Sequence, residues 1–129
     1  MVKNYVLDTH TLFWYLTGSP KLSLKARAVI DNGLETGDKV IISTITLAEL
    51  YYLNERAGSH LDFFKEYKRL EDMFEISSIE PRDILYFAEL SDIKEMHDRI
   101  IASVALRYNA TLITKDKEIG MSRKVKVLW

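Results

Sequence analysis

Four acidic residues, Asp8, Glu49, Asp98 and Asp116, stand where one expected strand or helix hands over to the next. Asp8 and Asp116 come just past short apolar, strand-like runs. Glu49 and Asp98 fall in the opening turns of expected helices. In an open α/β sheet, the carboxyl ends of the strands form the edge at which ligands bind. Four carboxylates gathered there repel one another unless a divalent cation offsets them. One or two Mg²⁺ or Mn²⁺ ions in such a cluster would activate water and stabilise charge on phosphorus-bound oxygens. Hydrolysis of a phosphodiester is therefore the chemistry this set suggests.

Each acid also has an ordinary structural account. Asp8 can cap a helix beginning near residue 11. Thr46-Leu47-Ala48-Glu49 has the form of a capping box, with the glutamate reaching back to the cap amide. Asp98 in a first helical turn gains about 0.3–1 kcal/mol from the helix dipole. Asp116 suits a turn. Capping explains any one of them, but not why four separate connections put an acid on one edge. Around them, Thr9, Thr114, Arg99 and Lys115 are candidates for positioning a substrate. Thr114 can hydrogen-bond an acid or a water, and Thr9 can bond local backbone. Arg99 also reads as one half of a structural ion pair. Lys117, Arg123 and Lys124 add positive charge nearby in sequence. Glu118 is set aside as a fifth acid.

The elements that must position these groups follow from periodicity. Apolar runs at residues 5–7, 40–42, 74–79, 111–114 and 125–128 read as strands. Helices are expected over residues 11–17, between an N-cap at Ser23 and a C′ residue at Gly37, and over 46–57, 60–72, 81–90 and 97–108, with Asn109 as a left-handed cap. In the fourth of these helices, Leu61, Phe64 and Tyr67, with Phe63 nearby, form one broad apolar face. Strands alternating with helices imply a mostly parallel sheet of four to five strands with helices on both faces. Right-handed crossovers then bring the carboxyl ends of the strands to one side.

The whole chain adds limits. Its 129 residues suit one domain, expected over residues 1–129, and zero cysteines exclude disulfides and zinc–thiolate sites. A reducing cytoplasm is expected, with no signal peptide and no bilayer-spanning run. The formal net charge of −1 gives no broad field for nucleic acid, so any such contact must be local. Trp14, Tyr15, Tyr51, Tyr52, Phe63, Phe64 and Tyr67 crowd the early helices. Tyr51 and Tyr52 point about 100° apart on a helix, so both need not face the core. Surplus apolar surface there would suit a dimer interface or a partner's amphipathic helix.

Four stretches together resemble the PIN-domain ribonucleases and, within them, the VapC-like toxins of toxin–antitoxin pairs. They are Val6-Leu7-Asp8-Thr9-His10 with Leu12-Phe13-Trp14; Ile42-Ser43-Thr44-Ile45-Thr46-Leu47-Ala48-Glu49-Leu50; Asp98-Arg99-Ile100-Ile101-Ala102; and Ala110-Thr111-Leu112-Ile113-Thr114-Lys115-Asp116. They occur in family order and span nearly the whole chain. The resemblance implies a three-layer α/β/α fold and Mg²⁺ or Mn²⁺ held by Asp8, Glu49, Asp98 and Asp116. It further implies endonucleolytic cleavage of RNA, a homodimer and a small antitoxin protein that covers the site. One departure is local: many relatives carry Asp-Pro before the third acid, where this chain has Glu95-Met96-His97. Glu95 then stands in for the missing aspartate, and His97 becomes an exposed loop residue or a proton carrier. Other readings remain: an RNA-processing PIN nuclease that is not a toxin, or a PIN-like module that binds RNA or protein without cutting. A haloacid-dehalogenase phosphatase lacks its second aspartate in Asp8-Thr9-His10. A phospho-receiver lacks its aspartate in Ser77-Ser78-Ile79.

Overall fold

The computed structural model describes residues 2–129. Five short strands, β1 (Asn4–Leu7), β2 (Lys39–Ser43), β3 (Glu75–Ser77), β4 (Thr111–Ile113) and β5 (Lys126–Leu128), form one sheet in the order β3-β2-β1-β4-β5. All four pairings are parallel. Buried residues alternate between the two faces because successive side chains of a strand point in opposite directions. Val6, Ile41 and Leu112 face one core; Leu7, Ile42 and Ile113 face the other.

Seven helices cover these faces: α1 (Thr9–Thr17), α2 (Leu24–Thr36), α3 (Thr44–Arg56), α4 (Phe63–Met73), α5 (Asp83–Glu89), α6 (Met96–Arg107) and α7 (Lys117–Met121). Ile101, Val104 and Ala105 of α6 fill the first core, with Leu90 and Ile93 beside them. Leu12 of α1, Ala26 and Ile30 of α2, Leu50 of α3 and Leu70 of α4 fill the second. The result is the three-layer α/β/α arrangement expected from the alternation, with five strands and every pair parallel. No helix among the described residues is long and apolar enough to cross a membrane.

The expected helix boundaries shift in informative ways. Ser23 caps α2 through Ala26 N, and Gly37 ends it at φ 82°. Asn109 is left-handed at φ 49°. The expected helix at 60–72 begins only at Phe63. Asn54 explains the delay: its amide bonds both the N–H and the C=O of Leu61, holding the approach as a loop, and Asp62 then caps the helix. Its buried stripe also turns. Phe63, Leu70 and Met73 pack inward, while Phe64 is 81% exposed. The sequence reading of the apolar face missed this by about one position. The expected helix at 81–90 settles into α5, two residues later and one shorter at its end.

The strand order reverses direction between β1 and β4, since β2 and β3 lie to one side of β1, and β4 and β5 to the other. A cleft opens at the carboxyl edge where an α/β sheet makes such a switch. Asp8, Thr114 and Asp116 sit directly on it.

Candidate functional site

Asp8 follows β1 and is 8% exposed. One carboxylate oxygen accepts from Thr11 N at 3.0 Å, so it caps α1; the other accepts from the Thr114 hydroxyl. Capping and site roles thus share one residue, because the two oxygens point different ways. Thr114 accepts in turn from Asp116 N at 3.0 Å, tying the end of β1 to the turn between β4 and α7. Asp116 caps α7 through Glu118 N and Ile119 N. That short helix was not anticipated; five residues give too little periodicity to read.

Glu49 is not a capping-box residue. α3 begins two residues earlier than expected, with Ser43 as its N-cap, so Glu49 lies well into the second turn. Thr46 is buried inside the helix with an unpartnered hydroxyl. Glu49 is instead held by the Thr9 hydroxyl at 2.7 Å. Thr9 therefore orients an acid and is not a local backbone partner. His97 is not an exposed loop residue: it lies in the first turn of α6, half-buried, its Nδ1 3.3 Å from Glu49 and 3.4 Å from Glu95. Glu95 caps α6 through Asp98 N at 2.6 Å.

Asp98 completes the group. Among the described residues no donor hydrogen-bonds its carboxyl. Its pKa is pushed up to about 7, first by burial, then by the charges of Asp116, Glu95, Asp8 and Glu49. Four other acids thus act on this one carboxyl. The donors are hard oxygens, the kind Mg²⁺ and Mn²⁺ prefer. No three His, Asp or Glu side chains among the described residues are already set to hold an ion. The hydrogen bonds above explain why: Asp8, Glu49 and Asp116 have each turned an oxygen toward a protein donor. The donor set fits a divalent cation in its chemistry.

Of the candidate positioning residues, Lys115 lies at the site, its ammonium 5.9 Å from the centre of the Trp14 ring. Arg99 does not. Neighbours on a helix point about 100° apart, so presenting Asp98 to the cleft turns Arg99 toward α5. There it bonds the Phe87 carbonyl at 2.7 Å and lies 4.1 Å over the Phe87 ring. It makes no ion pair among the described residues. Lys124 is tied to the Glu89 carbonyl. Glu118 bonds Lys94 N and lies off the cavity.

The cavity around the acids has a volume of about 840 Å³. Beyond the acids, Thr9 and His97, it is lined by His10, Trp14, Ile45, Ala48, Tyr52, Leu53, Arg56 and Lys115. Sequence reasoning left this wall unassigned. The signal was present: 45, 49, 52 and 56 recur at helical spacing, so any cleft touching Glu49 must touch Tyr52 and Arg56 as well.

Several solved structures share the architecture. The DNA-bound VapBC2 complex from Rickettsia felis aligns at TM-score 0.78 and 24% identity, covering 98% of this chain and 98% of that one. VapBC-1 from nontypeable Haemophilus influenzae aligns at 0.74 and 20%, covering 97% and 96%. VapC20 of Mycobacterium tuberculosis, described as a sarcin-ricin loop cleaving toxin, aligns at 0.63 and 14%, covering 95% and 98%. At these identities the likeness establishes the fold. No curated protein sequence matches the chain. The PIN-domain family model matches residues 5–125, and the chain belongs to that family.

Proposed function

We propose that this PIN domain is a Mg²⁺- or Mn²⁺-dependent endoribonuclease, and the toxin of a toxin–antitoxin pair. The observation that carries the enzymatic reading is the meeting of Asp8, Glu49, Asp98 and Asp116, from four separate connections, in one cavity at the carboxyl edge of the sheet. The family and the toxins among the structural relatives support RNA as the substrate.

Asp8, Glu49, Asp98 and Asp116 would hold the metal. When bound, it supplies Lewis acidity and lowers the pKa of a coordinated water. The protein's part is positioning. Thr114 and the amide of Thr11 fix Asp8, Thr9 fixes Glu49, and two amides of α7 fix Asp116. A carboxylate of Glu49 or Asp116 not fully engaged would orient the attacking water, and Lys115 would meet the phosphate from the open side. Water as nucleophile leaves a 5′-phosphate and a 3′-hydroxyl.

The test is cleavage of a structured-RNA pool by partner-free protein with Mg²⁺ or Mn²⁺, with EDTA, and with Asp8→Asn as control. Metal-dependent cutting with 5′-phosphate ends, lost in the variant, is expected. A 2′,3′-cyclic phosphate would overturn the mechanism, because the RNA's own 2′-hydroxyl would then be the nucleophile. A homodimer and a small antitoxin partner belong to the same proposal. They are supported by the toxin–antitoxin complexes among the relatives and by exposed apolar groups on α4 (Phe64) and α5 (Ile84, Leu85). Light scattering of the isolated chain, and co-purification with the product of an adjacent small reading frame, check them.

A further inference from the structure

The cavity has two chemically different halves. One holds the acids. The other is a short aromatic trough between α1 and α3, and no step proposed above uses it. On α1, His10 and Trp14 are one turn apart, their rings 5.5 Å between centres. On α3, Tyr52 and Arg56 are one turn apart, the guanidinium 5.6 Å from the tyrosine ring. Tyr52 is 60% exposed, although burying it would be favourable. Arg56 and Lys115 both line the cavity and make no ion pair with the described residues. The trough begins beside Glu49 and runs to Arg56, roughly 10 Å along the helix axis at 1.5 Å per residue.

We propose that this trough is a stacking site for an unpaired base of RNA next to the scissile phosphate, with Tyr52 and Trp14 as its walls and Arg56 and Lys115 meeting the flanking phosphates. The inference rests on the ribonuclease reading and deepens it: the substrate must be single-stranded where it is cut. Rings flanked by cations are how sequence-tolerant single-strand sites are built, since every base offers a face to stack on. A paired base has both faces covered and cannot enter. The arrangement also answers the chain's near-neutral charge. Two local cations and two rings grip a strand without a basic surface.

Trp14 reports on the trough directly. Trp14 and Trp129 are the two tryptophans, so Trp129→Phe leaves one indole, and adding Asp8→Asn keeps the RNA uncut in Mg²⁺. Titration with a mixed-sequence single-stranded RNA 12-mer should quench Trp14 saturably. The same 12-mer in a duplex, or with abasic sites throughout, should not. Tyr52→Ala should weaken the single-strand titration by roughly 5- to 100-fold, what stacking one base is worth, and Tyr52→Phe should restore it. In otherwise wild-type protein, Tyr52→Ala should act mainly on KM. Equal quenching by the abasic strand, or unchanged affinity in Tyr52→Ala, overturns the stacking site. If wild type still cuts RNA in that case, the nuclease reading stands alone. Base-dependent quenching by a protein that cuts nothing leaves the stacking site standing and removes the nuclease. No quenching by any RNA overturns the proposal and leaves the trough to a protein partner.

Discussion

Two regions of this molecule bury carboxylates, and they treat them in opposite ways. Away from the cleft, the side chains of Asp83 and Arg107 are 2% and 5% exposed and meet at 2.5 Å. Arg107 also bonds the Ser77 hydroxyl and the Ser78 carbonyl, and reaches Glu80 at 3.3 Å. Each carboxylate oxygen of Asp83 has a donor, Arg107 on one and the Glu80 amide on the other. At the sheet edge, Asp8 accepts from a hydroxyl and an amide, and Asp98 sits among acids with no donor to its carboxyl; neither makes an ion pair among the described residues. Removing a charge from water is costly unless a partner is supplied. A fold able to provide a buried arginine for one pair could have done so for the other. The difference is the one expected between an acid kept for structure and acids kept for a ligand.

The comparison breaks most visibly if the edge acids prove structural. Asp8→Asn keeps the cap on α1, because asparagine caps as well as aspartate, but removes a metal-binding charge. Several kcal/mol of transition-state stabilisation should be lost, on the order of a thousandfold in cleavage rate. The Tm in EDTA should hold. Retained cutting, or collapse of the fold, would put Asp8 in the same class as Asp83.

Arg107→Met tests the opposite side. It leaves Asp83 buried without its partner and should destabilise the fold by about 3–5 kcal/mol in urea unfolding. Adding Asp83→Leu should recover much of that loss, since an apolar pair of similar volume is often neutral. A small loss in the single variant would mean that water reaches Asp83, and the contrast between the two regions would weaken.

Thr114→Val falls between the regions, since Thr114 touches Asp8 and the amide of Asp116 without being an acid. Groups that orient metal ligands are worth about 10- to 100-fold in affinity or activity. The expected signature is a raised Mg²⁺ requirement, read from cleavage against metal concentration, with little change in Tm.

The sequence made some of this legible, for identifiable reasons. Strand runs such as Val40-Ile41-Ile42 and the caps at Ser23, Gly37 and Asn109 are local signals, and they located the sheet and its acidic edge. The rival account of Glu49, a capping box, dissolves because Ser43 starts α3 early, which no local spacing announced. Arg99 and Lys115 look alike as cations beside acids, yet one stacks on Phe87 and the other lines the cleft. Only the rotation of α6 and the end of β4 decide that. The Arg107–Asp83 pair joins residues 24 apart through packing, and nothing in their spacing announces it.

The smallest expected effect is also the sharpest discriminator. Asp98 has a pKa near 7 in the metal-free fold against 3.8 for an ordinary aspartate, raised first by burial and then by Asp116 and the other acids. The folded state therefore holds this proton more tightly than the unfolded chain. Stability from this group is fully present below about pH 3.8, declines as pH rises, and is gone above about pH 7. Asp98 is only half-buried, so water screens the penalty and keeps it modest. In EDTA, Asp98→Asn should melt above wild type at pH 8 and converge with it toward pH 4. Saturating Mg²⁺ should reverse the order at pH 8, because only the wild type gains a bound cation. If Asp98→Asn is instead the less stable protein in EDTA at pH 8, Asp98 is held by a structural partner, and the edge acids join Asp83 as parts of the scaffold.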